Sequence, residues 1–264
     1  MAGFDFAPAQ GAATAGGFDF APAQGSSGAG APGVPWTPAE ISTDLWFRSD
    51  EGITATGEGR VSDWEDQSGN SRDLSQSSAG RQPDYSATSF NSAYPGLTFY
   101  GDYLTRTTTG SASAYRTFLL AVDATYPYSW SYIFDAATDR PKIYVNADND
   151  GWRCEDSTAS GDKPTGPRIM SLEMTNNGQV FVDGVSVHAP TWDPGTLTLD
   201  GATKVGANNT GSSSYYGVLA EMVVSAAALS PADRQKAEGY LAHKFGLEGN
   251  LDPSHPYKTN PPTV

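Results

Sequence analysis

The 264-residue chain contains a single cysteine, Cys154. One thiol forms no internal disulfide and no multi-cysteine zinc site. Histidine is nearly as scarce: His188, His243 and His255 are the only three, and no two stand at metal-ligand spacing. Basic residues number 16 against 30 acidic ones, for a formal net charge of −14. That balance disfavours phosphate backbones and anionic lipid surfaces, so neither nucleic acid nor membrane is an expected partner. No stretch approaches the roughly 18 consecutive apolar residues of a membrane span. No apolar core follows Met1 and the first basic residue is Arg48, so no secretory signal is expected and synthesis in a cytoplasm is. Charged residues make up 17% of the chain, against about 25% in an average globular protein.

What the chain has instead is turn formers and rings. It carries 29 glycines and 18 prolines, and aromatics make up 11% of it. Rich in turns and aromatics and poor in charge, it is expected to be all-β. The composition changes near residue 35. Residues 1–35 hold 10 Ala, 8 Gly and 4 Pro, too little apolar area to offset the cost of ordering them. Within this segment Gly3-Phe4-Asp5-Phe6-Ala7-Pro8-Ala9-Gln10-Gly11 recurs unchanged as Gly17-Phe18-Asp19-Phe20-Ala21-Pro22-Ala23-Gln24-Gly25. Its large apolar side chains stand at i, i+2, which on an extended chain puts both rings of a unit on one face. Each unit therefore reads as a two-pronged peptide that adds to a sheet edge or fills paired pockets. Fourteen residues reach roughly 46–50 Å when extended, so two copies can bind two equivalent sites of a repeating partner. The competing interpretation is a linker duplicated by slippage. On the first, residues 1–35 are an extended anchoring arm whose contacts are Phe4, Asp5, Phe6, Pro8, Phe18, Asp19, Phe20 and Pro22.

Residues 36–264 read as a separate domain. Strands are expected at 117–122, 131–134, 142–145, 169–174, 179–182, 196–199 and 218–224, rich in β-branched and aromatic residues. Turn signals such as Asp183-Gly184 lie between them. One helix is expected: Ser230 caps it, Pro231 suits its first position, and Ala237, Tyr240, Leu241 and Phe245 form its apolar stripe before Gly246. The proline-bearing tail after it is expected to be extended.

Two segments carry a family resemblance. Trp64-Glu65-Asp66-Gln67-Ser68-Gly69-Asn70-Ser71-Arg72-Asp73-Leu74, with Leu45-Trp46-Phe47-Arg48 before it, resembles the opening of laminin-G-like members of the concanavalin A-like lectin/glucanase superfamily. Leu229-Ser230-Pro231-Ala232-Asp233-Arg234 and the residues to Tyr257 resemble the same family's closing helix. Such domains occur in phage virion proteins and bacterial surface proteins. The resemblance implies a concanavalin A-like jelly-roll β-sandwich with one C-terminal helix behind the arm. It also implies a virion location, with the arm bound to other virion proteins in a capsid, collar or tail fibre and the chain oligomeric in that assembly. The alternative is a carbohydrate-binding receptor-recognition protein, an adhesin of a phage or bacterial surface whose partner is a host-surface glycan.

Glucanases of this superfamily carry a Glu-x-Asp-x-x-Glu strand, and that pattern is absent. The chain is therefore expected not to be an enzyme. Tyr128, Trp130 and Trp152 lie in or beside expected loops and are the candidate sugar-stacking residues. Asp148 and Asp150 precede Gly151 with the alternation of a calcium loop, although the twelve-residue pattern does not continue. Apart from that one candidate Ca²⁺ site, no cofactor is expected.

Overall fold

Phe118-Leu119-Leu120-Ala121-Val122 is an uninterrupted apolar run, and all five side chains are buried. A run without alternation signals a strand covered on both faces. Phe118, Leu120 and Val122 enter one core, while Leu119 and Ala121 enter another. The same division splits Leu219, Met222 and Val224 from Ala220 and Val223. These two strands set the architecture: one face packs on a second sheet and the other on a helix.

The computed structural model describes residues 33–108, 117–124, 130–136, 142–146, 151–154, 165–174, 178–188 and 201–264. In chain order its strands are β1 (Thr43–Arg48), β2 (Ile53–Ala55), β3 (Val61–Trp64), β4 (Leu74–Ser75), β5 (Asp84–Phe90), β6 (Tyr94–Tyr100), β7 (Leu104–Thr108) and β8 (Thr117–Asp123). They continue as β9 (Ser131–Ala136), β10 (Lys142–Asn146), β11 (Gly151–Cys154), β12 (Pro167–Glu173), β13 (Val180–Val182), β14 (Val185–His188), β15 (Gly201–Val205) and β16 (Tyr216–Ser225), before the helix α1 (Pro231–Lys244). One sheet runs β14-β13-β12-β8-β16-β6-β5, with β1 also on β16; the other runs β11-β10-β9-β15-β7-β4-β3-β2. The strand pairings are antiparallel, and side chains of both sheets meet in one core that includes Phe47, Trp64, Phe99, Phe118, Phe134 and Trp152. The body is thus a two-sheet, mostly β sandwich with one C-terminal helix. The expected strand at 196–199 lies outside the described residues.

The helix forms where its signals stand. Ser230 Oγ accepts the Asp233 N–H at 3.1 Å, Pro231 occupies the first turn, and Gly246 takes φ 64° just past the end. Ala237, Leu241, Ala242 and Phe245 pack against Leu119, Ala121, Ala220 and Val223 of the sheet. Two buried charge networks fasten it. Glu221 on β16 accepts the Trp46 indole N–H at 2.7 Å, the Tyr240 hydroxyl at 3.1 Å and the Lys244 ammonium at 2.6 Å. Glu238 accepts Arg234 at 2.6 Å and the Ser171 hydroxyl at 2.8 Å, and lies 3.2 Å from His255 Nε2.

The last contact explains a departure from expectation. The tail does not run extended: it turns through Glu248–Asn250 and buries Leu251 and His255. Glu238 has no exposure to water, and a buried carboxylate must gather partners; His255 is one of them. The opening motif is likewise structural. Asp66 accepts backbone N–H groups from Trp46 at 2.9 Å, Ser68 at 3.0 Å and Arg72 at 3.1 Å, which ties the Ser68-Gly69-Asn70 turn to β1.

Candidate functional site

Ile143 and Val145 point into the sandwich core, so Tyr144 between them faces outward by strand alternation. Its cross-strand partner on β9 is Tyr132. The two rings stack with centroids 4.7 Å apart and planes 21° apart. Trp130, in the turn leading into β9, stacks on the same Tyr144 at 5.5 Å and 25°. Tyr144 is 1% exposed and Trp130 is 45% exposed, so a buried tyrosine supports an indole offered to solvent. Trp130 does this from a φ of 63°. For a bulky residue that left-handed backbone is an outlier, of the kind that persists where surrounding structure enforces it.

Polar groups stand further along β9. Asp135, three residues beyond Tyr132, pairs across the sheet with Lys142 on β10 and Lys204 on β15. Its Oδ2 accepts the Asn209 N–H at 2.8 Å. Lys204 donates to the Asn209 carbonyl at 3.0 Å and lies 5.3 Å from the Tyr103 ring centre. Aromatic faces flanked by a few fixed donors and acceptors are what a sugar requires, because each pyranose or furanose has an apolar face and a polar rim.

Of the expected sugar residues, Trp130 is placed at this stack. Trp152 is not: it pairs with Val145 in the β10–β11 register, shares that residue's inward face, and is 2% exposed in the core. The assignment of Trp152 as a sugar contact is therefore corrected to a packing role. Tyr128, the Ca²⁺ candidates Asp148 and Asp150, and the arm residues Phe4, Asp5, Phe6, Pro8, Phe18, Asp19, Phe20 and Pro22 lie outside the described residues. Tyr132 and Tyr144 escaped the sequence analysis because both fall inside expected strands. The Ile-Tyr-Val alternation at 143–145 was the available signal.

Displaced pKa values are found in the packing networks. Burial pushes the Glu173 carboxyl up against the lowering charge of Arg234. It likewise raises Asp183, despite the Ile169 N–H and Arg168. Burial also acts to raise Asp50, but the hydrogen bond from Arg48 and the charges of Lys244 and Arg48 outweigh it and hold Asp50 below its ordinary value. Among the described residues no three His, Cys, Asp or Glu side chains converge as a metal-binding group.

No protein-family model matches the chain, and no curated protein matches it. Solved structures do share the fold. Domain 4 of an extracellular GH43 arabinanase from Geobacillus stearothermophilus, in complex with arabinotriose, aligns with a TM-score of 0.51 at 14% identity, over 75% of this chain and 98% of that one. A GH54 α-L-arabinofuranosidase aligns at 0.52 and 13%, over 70% of this chain and 51% of the other. A Trypanosoma rangeli sialidase aligns at 0.50 and 16%, over 77% and 33%. The chain thus spans about half of the arabinofuranosidase and a third of the sialidase. These likenesses correct the expectation that no enzyme is present. The structures are carbohydrate-active enzymes or a domain of one, so a missing Glu-x-Asp-x-x-Glu strand is no ground for excluding glycoside chemistry. At 13–16% identity they establish the fold, and neither activity nor substrate follows from them.

Proposed function

We propose that the body is a concanavalin A-like jelly-roll module that binds carbohydrate at the Trp130–Tyr144–Tyr132 stack, and that the repeated arm attaches it to a phage virion. The observation that carries the sugar-binding part is an indole 45% exposed, held at φ 63° and backed by a buried tyrosine. Strain of this kind is maintained at ligand clamps more often than elsewhere. Carbohydrate-active proteins with the same fold make a glycan a reasonable ligand class. The attachment part rests on the exact duplication of residues 3–11 at 17–25 and on the laminin-G-like motifs, which resemble those of virion proteins.

The test is a glycan array on the full chain, followed by titration of the best binders. Replacing Trp130 with Ala is expected to weaken binding about tenfold or more, since truncating a central aromatic anchor costs at least ~1.4 kcal/mol. Unchanged affinity in Trp130→Ala, or an array without binders, would overturn the sugar site. Following the same glycans for release of new reducing ends measures whether any is also cleaved.

A further inference from the structure

Beside β9 lies a small antiparallel ribbon, residues 206–215. The Gly206 N–H donates to the Ile133 carbonyl at 2.8 Å, Tyr215 N–H to Gly206 O at 2.7 Å, and Asn208 N–H to Ser213 O at 2.8 Å. At the ribbon's base, Ser131 Oγ accepts the Tyr216 N–H at 3.2 Å and lies 3.4 Å from the Ser214 carbonyl, one residue from Trp130. At its tip, Asp135 and Lys204 grip the two sides of the Asn209 backbone. The ribbon therefore follows β9 from Ser131 to Asp135, the stretch that carries Tyr132.

The tip is built to hold its shape. Asn208 Oδ1 accepts the Ser212 N–H at 2.8 Å, the Ser213 N–H at 3.2 Å and the Thr210 hydroxyl at 3.0 Å. Gly211 sits at φ 73° against Tyr103, where a Cβ would come within 3.2 Å of the ring. Yet Asn209, Thr210 and Ser212 remain exposed. A rigid loop that presents hydroxyl and amide groups along the strand that carries Tyr132 has the parts of a selectivity element: ring stacking is indifferent to hydroxyl configuration, whereas directed hydrogen bonds are not.

We propose that the ribbon is the wall that selects among sugars at the aromatic stack, and that the ligand it selects is an uncharged glycan. This rests on the carbohydrate-binding interpretation above. The exposed wall residues Asn209, Thr210 and Ser212 are neutral, and a chain of net charge −14 opposes the approach of acidic sugars.

The experiment titrates a panel of neutral and acidic glycans against the wild type, Trp130→Ala, Asn208→Ala and the double variant Thr210→Ala/Ser212→Ala, with thermal unfolding run on each. Expected are binding of neutral glycans, a weakening of all of them by about tenfold or more in Trp130→Ala, and a change of about fivefold or more in relative affinity between glycans in the ribbon variants. The double variant removes two exposed side-chain hydroxyls and keeps the Ser212 and Ser213 backbone N–H bonds to Asn208 Oδ1, so it decides the matter if Asn208→Ala unfolds. An unchanged ranking in that variant beside a loss in Trp130→Ala overturns the wall and leaves the sugar site standing. Preference for acidic glycans overturns the proposed ligand class. No binding by the wild type removes the sugar site and the wall together.

Discussion

At position 130 the backbone and the side chain want different things. A φ of 63° crowds Cβ against the following carbonyl, which costs roughly 1–2 kcal/mol for any residue but glycine. The ring recovers part of that by stacking on Tyr144, in the range of about 0.5–1.5 kcal/mol for an aromatic pair. Two truncations separate the terms. Trp130→Ala and Trp130→Gly both delete the ring and should weaken glycan binding alike. The glycine variant alone relieves the backbone, so it should be the more stable of the two by about 1 kcal/mol, or roughly 2–4 °C in the unfolding midpoint. Denaturant unfolding of the pair reads this directly, and equal midpoints would mean that position 130 is not strained.

The same competition between local cost and wider gain governs how the helix is held to the sheet. Asp50, just past β1, receives Arg48 at 2.9 Å and Lys244 of α1 at 2.9 Å; Lys244 in turn meets the wholly buried Glu221. Because its partners hold Asp50 below its ordinary pKa, the unfolded chain binds a proton there more readily than the folded one. Its stabilising contribution is therefore present above the unfolded carboxylate range, near pH ~3.9, and fades as pH falls through the lower folded value. Asp50→Asn should lower the unfolding midpoint at pH 7, and the gap to wild type should close as the pH drops below about 3.9. A gap independent of pH would show that the charge is not what matters. Elements of this kind were unevenly legible in the sequence. The doubly buried strands β8 and β16 announced themselves as apolar runs, and α1 through Ser230, Pro231 and Gly246. β4 is two residues long and β5 leaves most of its side chains exposed, so neither has a periodicity to read. Trp152 and Tyr144 show the same limit at the site. Which aromatic faces inward is fixed by register, through the Val145↔Trp152 pair and the bulge beside Ile143, and no property of the isolated segments decides it.

For the molecule as a whole, the question is how a load on the arm would reach the body. The chain enters the body at a two-stranded clasp: the Val264 N–H donates to the Val34 carbonyl at 3.0 Å and the Trp36 N–H to Pro262 O at 3.1 Å. Trp36 is buried under the helix beside Tyr240, with ring centroids 6.1 Å apart. The described partners in that clasp are Val34, Trp36, Pro262 and Val264, and the deletion that tests attachment takes residues 1–25. Removing them should leave the unfolding midpoint of the body unchanged while abolishing co-sedimentation with particles, which separates attachment from folding. Within the arm, anchors of the two-pronged kind make a sharper demand. Replacing Phe4, Phe6, Phe18 and Phe20 with Ala removes the large apolar groups and should cost far more particle affinity than replacing Asp5 and Asp19. Losing only one repeat, by Phe18→Ala and Phe20→Ala, should forfeit the avidity term, which is worth about 10²–10⁴ in affinity when two linked sites engage together. Particle-binding titrations of the three variants measure all of this. Equal losses from the Phe and Asp sets would mean the rings are not the anchors, and a single-repeat variant that binds as well as wild type would mean the duplication engages one site rather than two.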